Sequence, residues 1–365
     1  MDIAQDRSAN ALIGFAAIIV VVYGLQAAKV LLVPFLLAVF LALISFRPML
    51  WLLKKKVPSI AAALLIVIVM MLILAVVGGV VGSSIADFTA ALPRYQARLD
   101  SIVQGTLGFL ARLIGEDKSL GDVGELIDPG WAMGMAANIL NALQDVLTNT
   151  FLILFTMVFI LLEASSVDIK VEAAFGRKAE SFQRARQFLH NLGRYMGIKT
   201  VVSMATGISA SLLTWWIGLD FPLLWGMLAF LFNYVPAIGS IIAAVPAILM
   251  ALVQLGIGEA SWTAIGFLGI NVLFGNFIEP RLMGYGVGIS PLVVFTGLVL
   301  WGWIFGPVGM LLSVPLTMTL KLALEADEHT RWLAILIGSE RDAEYELALQ
   351  RMHERGGRET GETAE

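Results

Sequence analysis

The residues best suited to handle a solute sit where apolar sequence breaks. In NYVPAIGS, Asn233 and Tyr234 offer a carboxamide and a phenol beside Pro236 and Gly239. Pro236 removes a backbone donor and disfavours helix at Val235, and Gly239 admits conformations that other residues resist. In GNFIEPRLMGYGVGISP, Gly275, Asn276, Glu279 and Arg281 surround Pro280 at the end of an apolar run. In FGPVG, Gly306 and Pro307 interrupt another run. Carbonyls freed at such breaks cost several kcal/mol each if left bare in lipid, so they must face protein, water or a ligand. A charge at mid-bilayer costs roughly 2.5–3.5 kcal/mol or more. Glu279 and Arg281 therefore belong either to a structural ion pair at the membrane interface or to a functional site. The chemistry on offer is recognition and passage of a small polar solute.

The breaks come in a pair. PLLWGMLAFLFNYVPAIGSIIAAVP, from Pro222 to Pro246, is matched by PLVVFTGLVLWGWIFGPVGMLLSVP, from Pro291 to Pro315, at an offset of 69 residues without a gap. Gly197 and Gly266 align at the same offset, each in the apolar run before its broken segment. Gly/Pro-broken apolar segments at corresponding positions are the best pointer to a transporter's midplane site. If each broken segment crosses twice, the repeat unit has three crossings and the second copy is inverted. The alternatives are a chance likeness between apolar runs and a surface turn joining two ordinary helices.

The elements that must position these residues are membrane helices. The chain has 365 residues, 58% of them hydrophobic and only 14% charged. A soluble domain this apolar would expose far too much apolar surface, so the expected class is an all-α polytopic membrane protein. A net charge of −4 points to no nucleic acid. There are no cysteines, and His190, His329 and His353 all lie outside the apolar segments. Disulfides are excluded and a metal centre is not expected. Walker A is absent, and Gly284, Gly286 and Gly288 follow no strand, so no nucleotide cofactor is expected either. Nothing assembles a catalytic triad, and the chain does not read as an enzyme.

Apolar runs of spanning length occur at about 11–28, 30–46, 58–85, 146–163, 195–217 and 260–279. The broken segments 221–255 and 290–324 bring the total to about eight membrane elements, as broken helices or re-entrant hairpins. The N-terminus reads as the first transmembrane helix rather than a signal peptide, since its first ten residues hold one Arg against two Asp. Arg47 and Lys54 to Lys56 follow the second span, and Lys170, Arg177, Lys178, Arg184, Arg186 and Arg194 follow the fourth. Both loops belong on the cytoplasmic side, which places both termini there. The expected organisation is N-terminal helices over 1–85, an extracytoplasmic amphipathic segment over 86–145, a transport core over 146–324 and an acidic cytoplasmic tail over 325–365.

In the outer segment, Phe88, Leu92, Tyr95, Leu99, Ile102 and Val103 recur at helical spacing, and 131–145 reads as a second helix. These are either surface helices packed on the bundle or a cap over a solute path. Positions 339–353 read as a charged amphipathic helix and the last ten residues as disordered. Lys199, about one turn inside the fifth span, reads as snorkelling to the interface, with a substrate role as the alternative. Asn149, Asn271 and Asn276 are candidates for hydrogen bonds between helices or to a polar solute. The pairs Gly78/Gly82, Gly193/Gly197 and Gly302/Gly306 read as close-packing signals. Trp215, Trp216, Trp225, Trp301 and Trp303 read as interface anchors or core.

At NYVPAIGS, GNFIEPRLMGYGVGISP and LVLWGWIFGPVGMLLSVPL the chain resembles the autoinducer-2 exporter (AI-2E) family of bacterial permeases. VPFLLAVFLALI in the second span and DPG before the fourth fit the same resemblance, which runs from about residue 10 to 335. It implies a bacterial inner-membrane protein that exports small molecules. Some members are associated with release of autoinducer-2, a small polar furanone-type signal, and others with sodium/proton antiport. It also implies homo-oligomers, with a pentamer among them.

Three functions then compete. The first is export of a small polar signal such as autoinducer-2, with Asn233, Tyr234, Pro236, Gly239, Gly275, Asn276, Glu279, Arg281, Gly306 and Pro307 lining or gating the path. The second is a sodium- or proton-coupled antiporter using Glu279, with Glu163 behind it. The third is a passive oligomeric pore.

Overall fold

The computed structural model describes residues 2–114, 149–164, 169–170, 172–173, 180–283, 288–327, 329–340, 343–344 and 347. Among them the chain is helical and contains no strand. That follows from the sequence: in lipid every backbone group must be satisfied within its own segment, and a helix does so. Among the described residues four stretches are long and apolar enough to cross a membrane, Lys29–Lys54, Ser59–Ser84, Arg186–Ile217 and Ile257–Met283. Large apolar side chains such as Leu72, Trp216 and Leu268 point outward along them, as expected where the solvent is hydrocarbon.

The chain divides into two compact parts. One comprises residues 48–159 and 199–279, the other 1–47, 160–198 and 280–365. The expected second outer helix over 131–145 lies outside the described residues, as do Gly284, Gly286 and most of the tail helix over 339–353.

In the first part, α3 (Ser59–Ile114) is one 56-residue helix. It runs out of its span into the expected outer segment without a break. Its residues Val77, Val81, Ala91 and Tyr95 pack with α6 (Pro222–Phe232) and α7 (Gly239–Gln254), the two arms of the first broken segment. The C-terminal half of α5 (Glu180–Ile217) and α8 (Ile257–Asn271) complete this part, with α7 packed along α8. Its core gathers Leu224, Leu228, Ala243, Ala247 and Met250. After α8 the chain winds into a π-helix, Val272–Ile278, before the short α9 (Glu279–Met283).

A hydrogen-bond knot ties both open ends of the α6–α7 hairpin to α3. The fully buried Tyr95 donates from its hydroxyl to Asp220 Oδ2 at 2.7 Å. The Asp220 N–H donates to Gln254 Oε1 at 2.9 Å, and Trp225 Nε1 donates to the Asp220 carbonyl at 2.7 Å. Arg94 adds a long ion pair to Asp220 at 3.9 Å. Burial, then the bond to Asp220, push the Tyr95 phenol up to about 12. A raised pKa means the contribution is intact below about pH 10, where an unfolded phenol titrates, and is lost as pH rises through about 12. Tyr95→Phe should therefore cost about 1 kcal/mol, held low by the part-exposed Asp220. It should also reduce the alkaline loss between pH 10 and 12 expected of wild type in thermal scans. Equal alkaline profiles for the two proteins would refute this account of Tyr95.

The second part holds the other broken segment. It folds as α10 (Pro291–Phe305), α11 (Pro307–Leu311) and α12 (Ser313–Glu325). α1 (Asp2–Ala27) packs on α10, and α13 (Arg331–Ile337) packs on α12. Gly306 turns the chain with φ 67°, a conformation glycine adopts without penalty. Lys321 donates to the Gly288 carbonyl at 2.8 Å.

Helix lengths bear directly on the two broken segments. At 1.5 Å per residue, the 11-residue α6 rises about 16 Å and the 15-residue α10 about 22 Å, against a hydrocarbon core of about 30 Å. The shorter arm of each segment therefore falls short of that thickness. Both segments fold alike, and by a shared device. A Cβ on Gly239 would run into the carbonyl oxygen of Phe232, and one on Gly309 into that of Trp301. Phe232 and Trp301 are equivalent positions of the repeat.

Two glycine expectations need correction. Gly239 is needed for this close approach, whereas the left-handed residue at the first tip is Ala237, with φ 61°. Close packing also lies elsewhere than expected. A Cβ at Gly82, Gly193 or Gly197 would meet nothing within 4 Å, while Gly302 packs on Met310 as expected. A further close helix approach joins Gly207 of α5 to Gly226 of α6, where an added Cβ would stand 2.6–2.7 Å from the facing carbonyl. Of the tryptophans, Trp225 is core and Trp215, Trp216 and Trp303 are exposed.

Candidate functional site

Lys199, Ser203, Thr206 and Ala210 recur along α5 at intervals of four, three and four, which places them on one face. All four are buried. Facing them, Phe267, Asn271, Gly275 and Glu279 recur at intervals of four along α8, the π-helix and the start of α9. The π-helix bonds i to i+5 and so takes more residues per turn than an α-helix, which keeps this series near one line.

The two lines meet at an ion pair. Lys199 Nζ lies 2.6 and 2.8 Å from the two carboxylate oxygens of Glu279. The side chains are only 8% and 17% exposed. Sequence reasoning sent Lys199 out to the interface, but the structure folds it inward onto a partner 80 residues away. Glu279 is thus in an ion pair, though with Lys199. Arg281 stands exposed on α9, and among the described residues it forms no salt bridge.

The tip of the α6–α7 hairpin closes on the same face of α5. Asn233 Nδ2 donates to Ser203 Oγ at 2.8 Å. The Tyr234 hydroxyl donates to Thr200 Oγ1 at 2.8 Å, and its ring stands edge-on to Phe230. Carbonyls at the break are partly taken up locally, Val235 by the Gly239 N–H and Pro236 by the Ile238 N–H. Pro236 is half-buried between them.

The structure therefore brings Asn233, Tyr234, Pro236, Gly239, Gly275 and Glu279 to one polar seam in the first compact part. Asn276 lies exposed on the π-helix. Gly306 and Pro307 shape the tip of the hairpin in the second part. Glu163, the other carboxylate considered for ion coupling, is exposed and paired with Lys170. Sequence reasoning missed Thr200, Ser203, Thr206 and Ser240, the last of which lines a small space with Thr206, Asn233 and Asn271, and it weighed Lys199 only as the alternative to snorkelling. One signal was available: the row Lys199, Ser203, Thr206 on a single face of an otherwise apolar span.

Chemically, the seam is a row of hydroxyls and carboxamides with one self-neutralised charge pair at its end. Such groups can donate and accept hydrogen bonds to a polar solute. A broken helix, a π-helix and a buried ion pair in one membrane domain are features of a transporter.

The family profile described as AI-2E family transporter matches residues 13–328. The chain belongs to this family of transporters. It is 35% identical over 320 residues to the AI-2 transport protein TqsA of Escherichia coli (strain K12), covering 88% of this chain and 93% of that protein. A relative in Haemophilus influenzae is 36% identical over 336 residues, 91% of this chain and 97% of the relative. YhhT of Escherichia coli is 33% identical over 330 residues, 90% of this chain and 93% of YhhT.

Proposed function

We propose that this membrane transporter exports a small polar signalling molecule such as autoinducer-2 across the bacterial inner membrane, without enzymatic chemistry. The observation that carries the reading is the polar seam at the hairpin tip, in a chain 35% identical to a protein named for AI-2 transport. Asn233, Tyr234, Pro236, Gly239, Gly275 and Glu279 line the path, with Lys199 holding Glu279. Gly306 and Pro307 shape the matching hairpin, and Asn276 and Arg281 stand at the edge of the path.

Both termini lie in the cytoplasm in this reading. One crossing helix plus a hairpin that returns to its own side makes an odd number of crossings per repeat. The second copy is then inverted with re-entrant hairpins, one of the two arrangements the sequence leaves open. Coupling to a sodium or proton gradient and assembly into a homo-oligomer, a pentamer by the family resemblance, complete the scheme.

Liposomes containing the purified chain and loaded with autoinducer-2 test it. Efflux should exceed that of protein-free liposomes and respond to a sodium or proton gradient. Glu279→Gln should reduce efflux at least tenfold. No efflux under any gradient would reject the export reading, and wild-type efflux from a folded Glu279→Gln protein would remove Glu279 from the path.

A further inference from the structure

The corner between α2 (Lys29–Lys54) and α3 carries Lys54, Lys55 and Lys56 in succession, and all three are exposed. Their own elements offer them no counter-charge, because no Asp or Glu stands between Asp6 and Asp87. Among the described residues no carboxylate forms a salt bridge with any of the three. Three ammonium groups thus gather, uncompensated, where an apolar helix ends.

Their placement is fixed by the backbone. The Lys56 N–H donates to the Leu53 carbonyl at 2.9 Å, and the Val57 N–H to the Leu52 carbonyl at 3.2 Å. This closure of a helix needs a left-handed residue, a place usually taken by glycine. Lys56 takes it with φ 63°, against the steric penalty that any Cβ meets there. The Lys55 ammonium lies 4.0 Å from the centre of the Trp51 ring, which holds the cation at that level. Trp51 is 56% exposed, and Leu50, Ile60 and Leu64 present apolar side chains on the two sides of the turn. Cation, aromatic ring and aliphatic surface are the partners of a phosphate, a glycerol backbone and an acyl chain.

Two simpler roles leave part of this arrangement unexplained. The helix C-terminus carries about half a negative charge, which one lysine offsets. Orienting the chain in the membrane takes positive charge but no defined turn. Neither requires a third cation on a left-handed backbone.

We infer that this corner binds the head group of an anionic phospholipid, the three ammonium groups meeting the phosphate and Trp51 lying against the glycerol region. Charge complementarity selects the head group, and the exposed apolar side chains beside the turn select a lipid over a soluble anion. The inference is independent of the export reading and extends to no residue of the polar seam.

Full-length protein stripped of lipid in detergent tests this. Thermal unfolding and native mass spectrometry of lipid adducts are followed with dioleoyl phosphatidylglycerol or dioleoyl phosphatidylcholine at equal concentrations. One lysine close to an anionic surface favours association about fivefold, so phosphatidylglycerol should bind at least about tenfold more tightly. The difference should shrink as salt is raised. Lys56→Gly separates lipid binding from a structural role, since glycine suits the left-handed turn. The lipid-free variant should unfold at an equal or higher temperature, while its phosphatidylglycerol binding falls about fivefold. Lys54→Gln with Lys55→Gln should lower binding about tenfold or more, and serves alone should Lys56→Gly fail to fold. Equal binding of the two lipids, or unchanged phosphatidylglycerol binding in the variants, overturns the site. Stabilisation by inorganic phosphate as great as by phosphatidylglycerol overturns a lipid as its occupant.

Discussion

Lys199→Met should destabilise the protein by about 3–5 kcal/mol, because it strands the Glu279 carboxylate in a buried site. The pair is bidentate at 2.6 and 2.8 Å, and its side chains are 8% and 17% exposed, so water screens it little. The uncompensated charge, rather than the lost attraction, sets the cost. Lys199→Met combined with Glu279→Gln removes both charges and should regain more than half of the loss. The measurement is thermal or denaturant unfolding in detergent for wild type, both single variants and the double. A snorkelling lysine would behave otherwise: Lys199→Met would then cost less than about 1 kcal/mol and the double would show no recovery. Additive single and double costs would sink the structural account of the pair. Transport should follow a different pattern from stability. The double variant restores the fold but should still export poorly, since the path has lost the charges that order its end.

The contrast between Lys199 and its neighbours shows what the sequence could and could not express. Helices were legible because apolar runs of spanning length leave the backbone no other solution in lipid. The two breaks were legible because proline and glycine act locally, on their own residue and its neighbours. Asn233 and Tyr234 were legible for the same reason, as polar residues beside a visible break. Lys199 was misread because its position one turn inside a span fits two destinations, and the choice depends on Glu279, 80 residues away. Gly239 was found, but for a reason the fold replaces: the positive φ sits on Ala237, and Gly239 is required by a carbonyl across the tip. Thr206 and Ser240 were passed over because a hydroxyl in an apolar helix ordinarily bonds back to its own backbone, as Thr206 does in part. What marks them is their convergence with Asn233 and Asn271, and convergence is a property of packing. The repeat was legible at its ends, Pro222/Pro291 and Pro246/Pro315. The arm lengths that make each copy a hairpin follow from where the tips close.

Gly239→Ala and Gly309→Ala should each cost export at least tenfold, although alanine favours helix. Both glycines lie in the first turns of helices, where alanine would ordinarily add up to about 1 kcal/mol of stability. Here a methyl group would collide with a backbone carbonyl, Phe232 for Gly239 and Trp301 for Gly309. A flexible side chain could swing away, but a carbonyl moves only with its helix. The two arms must therefore separate at the tip, at an overpacking cost of 1–3 kcal/mol or more, which exceeds the propensity gain. Separation at Gly239 should also shift Asn233 and Tyr234 away from Ser203 and Thr200, so the damage falls on the seam proposed to handle the solute. Gly82→Ala is the control, because its Cβ would meet nothing within 4 Å, and it should leave export within twofold of wild type. The comparison is autoinducer-2 efflux from liposomes at matched protein incorporation, with thermal stability recorded for each variant. Equal loss at 239 and 309 would show that both copies of the repeat depend on the same contact. Loss at 239 alone would confine the path to the first hairpin. Efflux from Gly239→Ala equal to that from Gly82→Ala would mean the tip need not close for transport, and the role assigned to Asn233 and Tyr234 would fall with it.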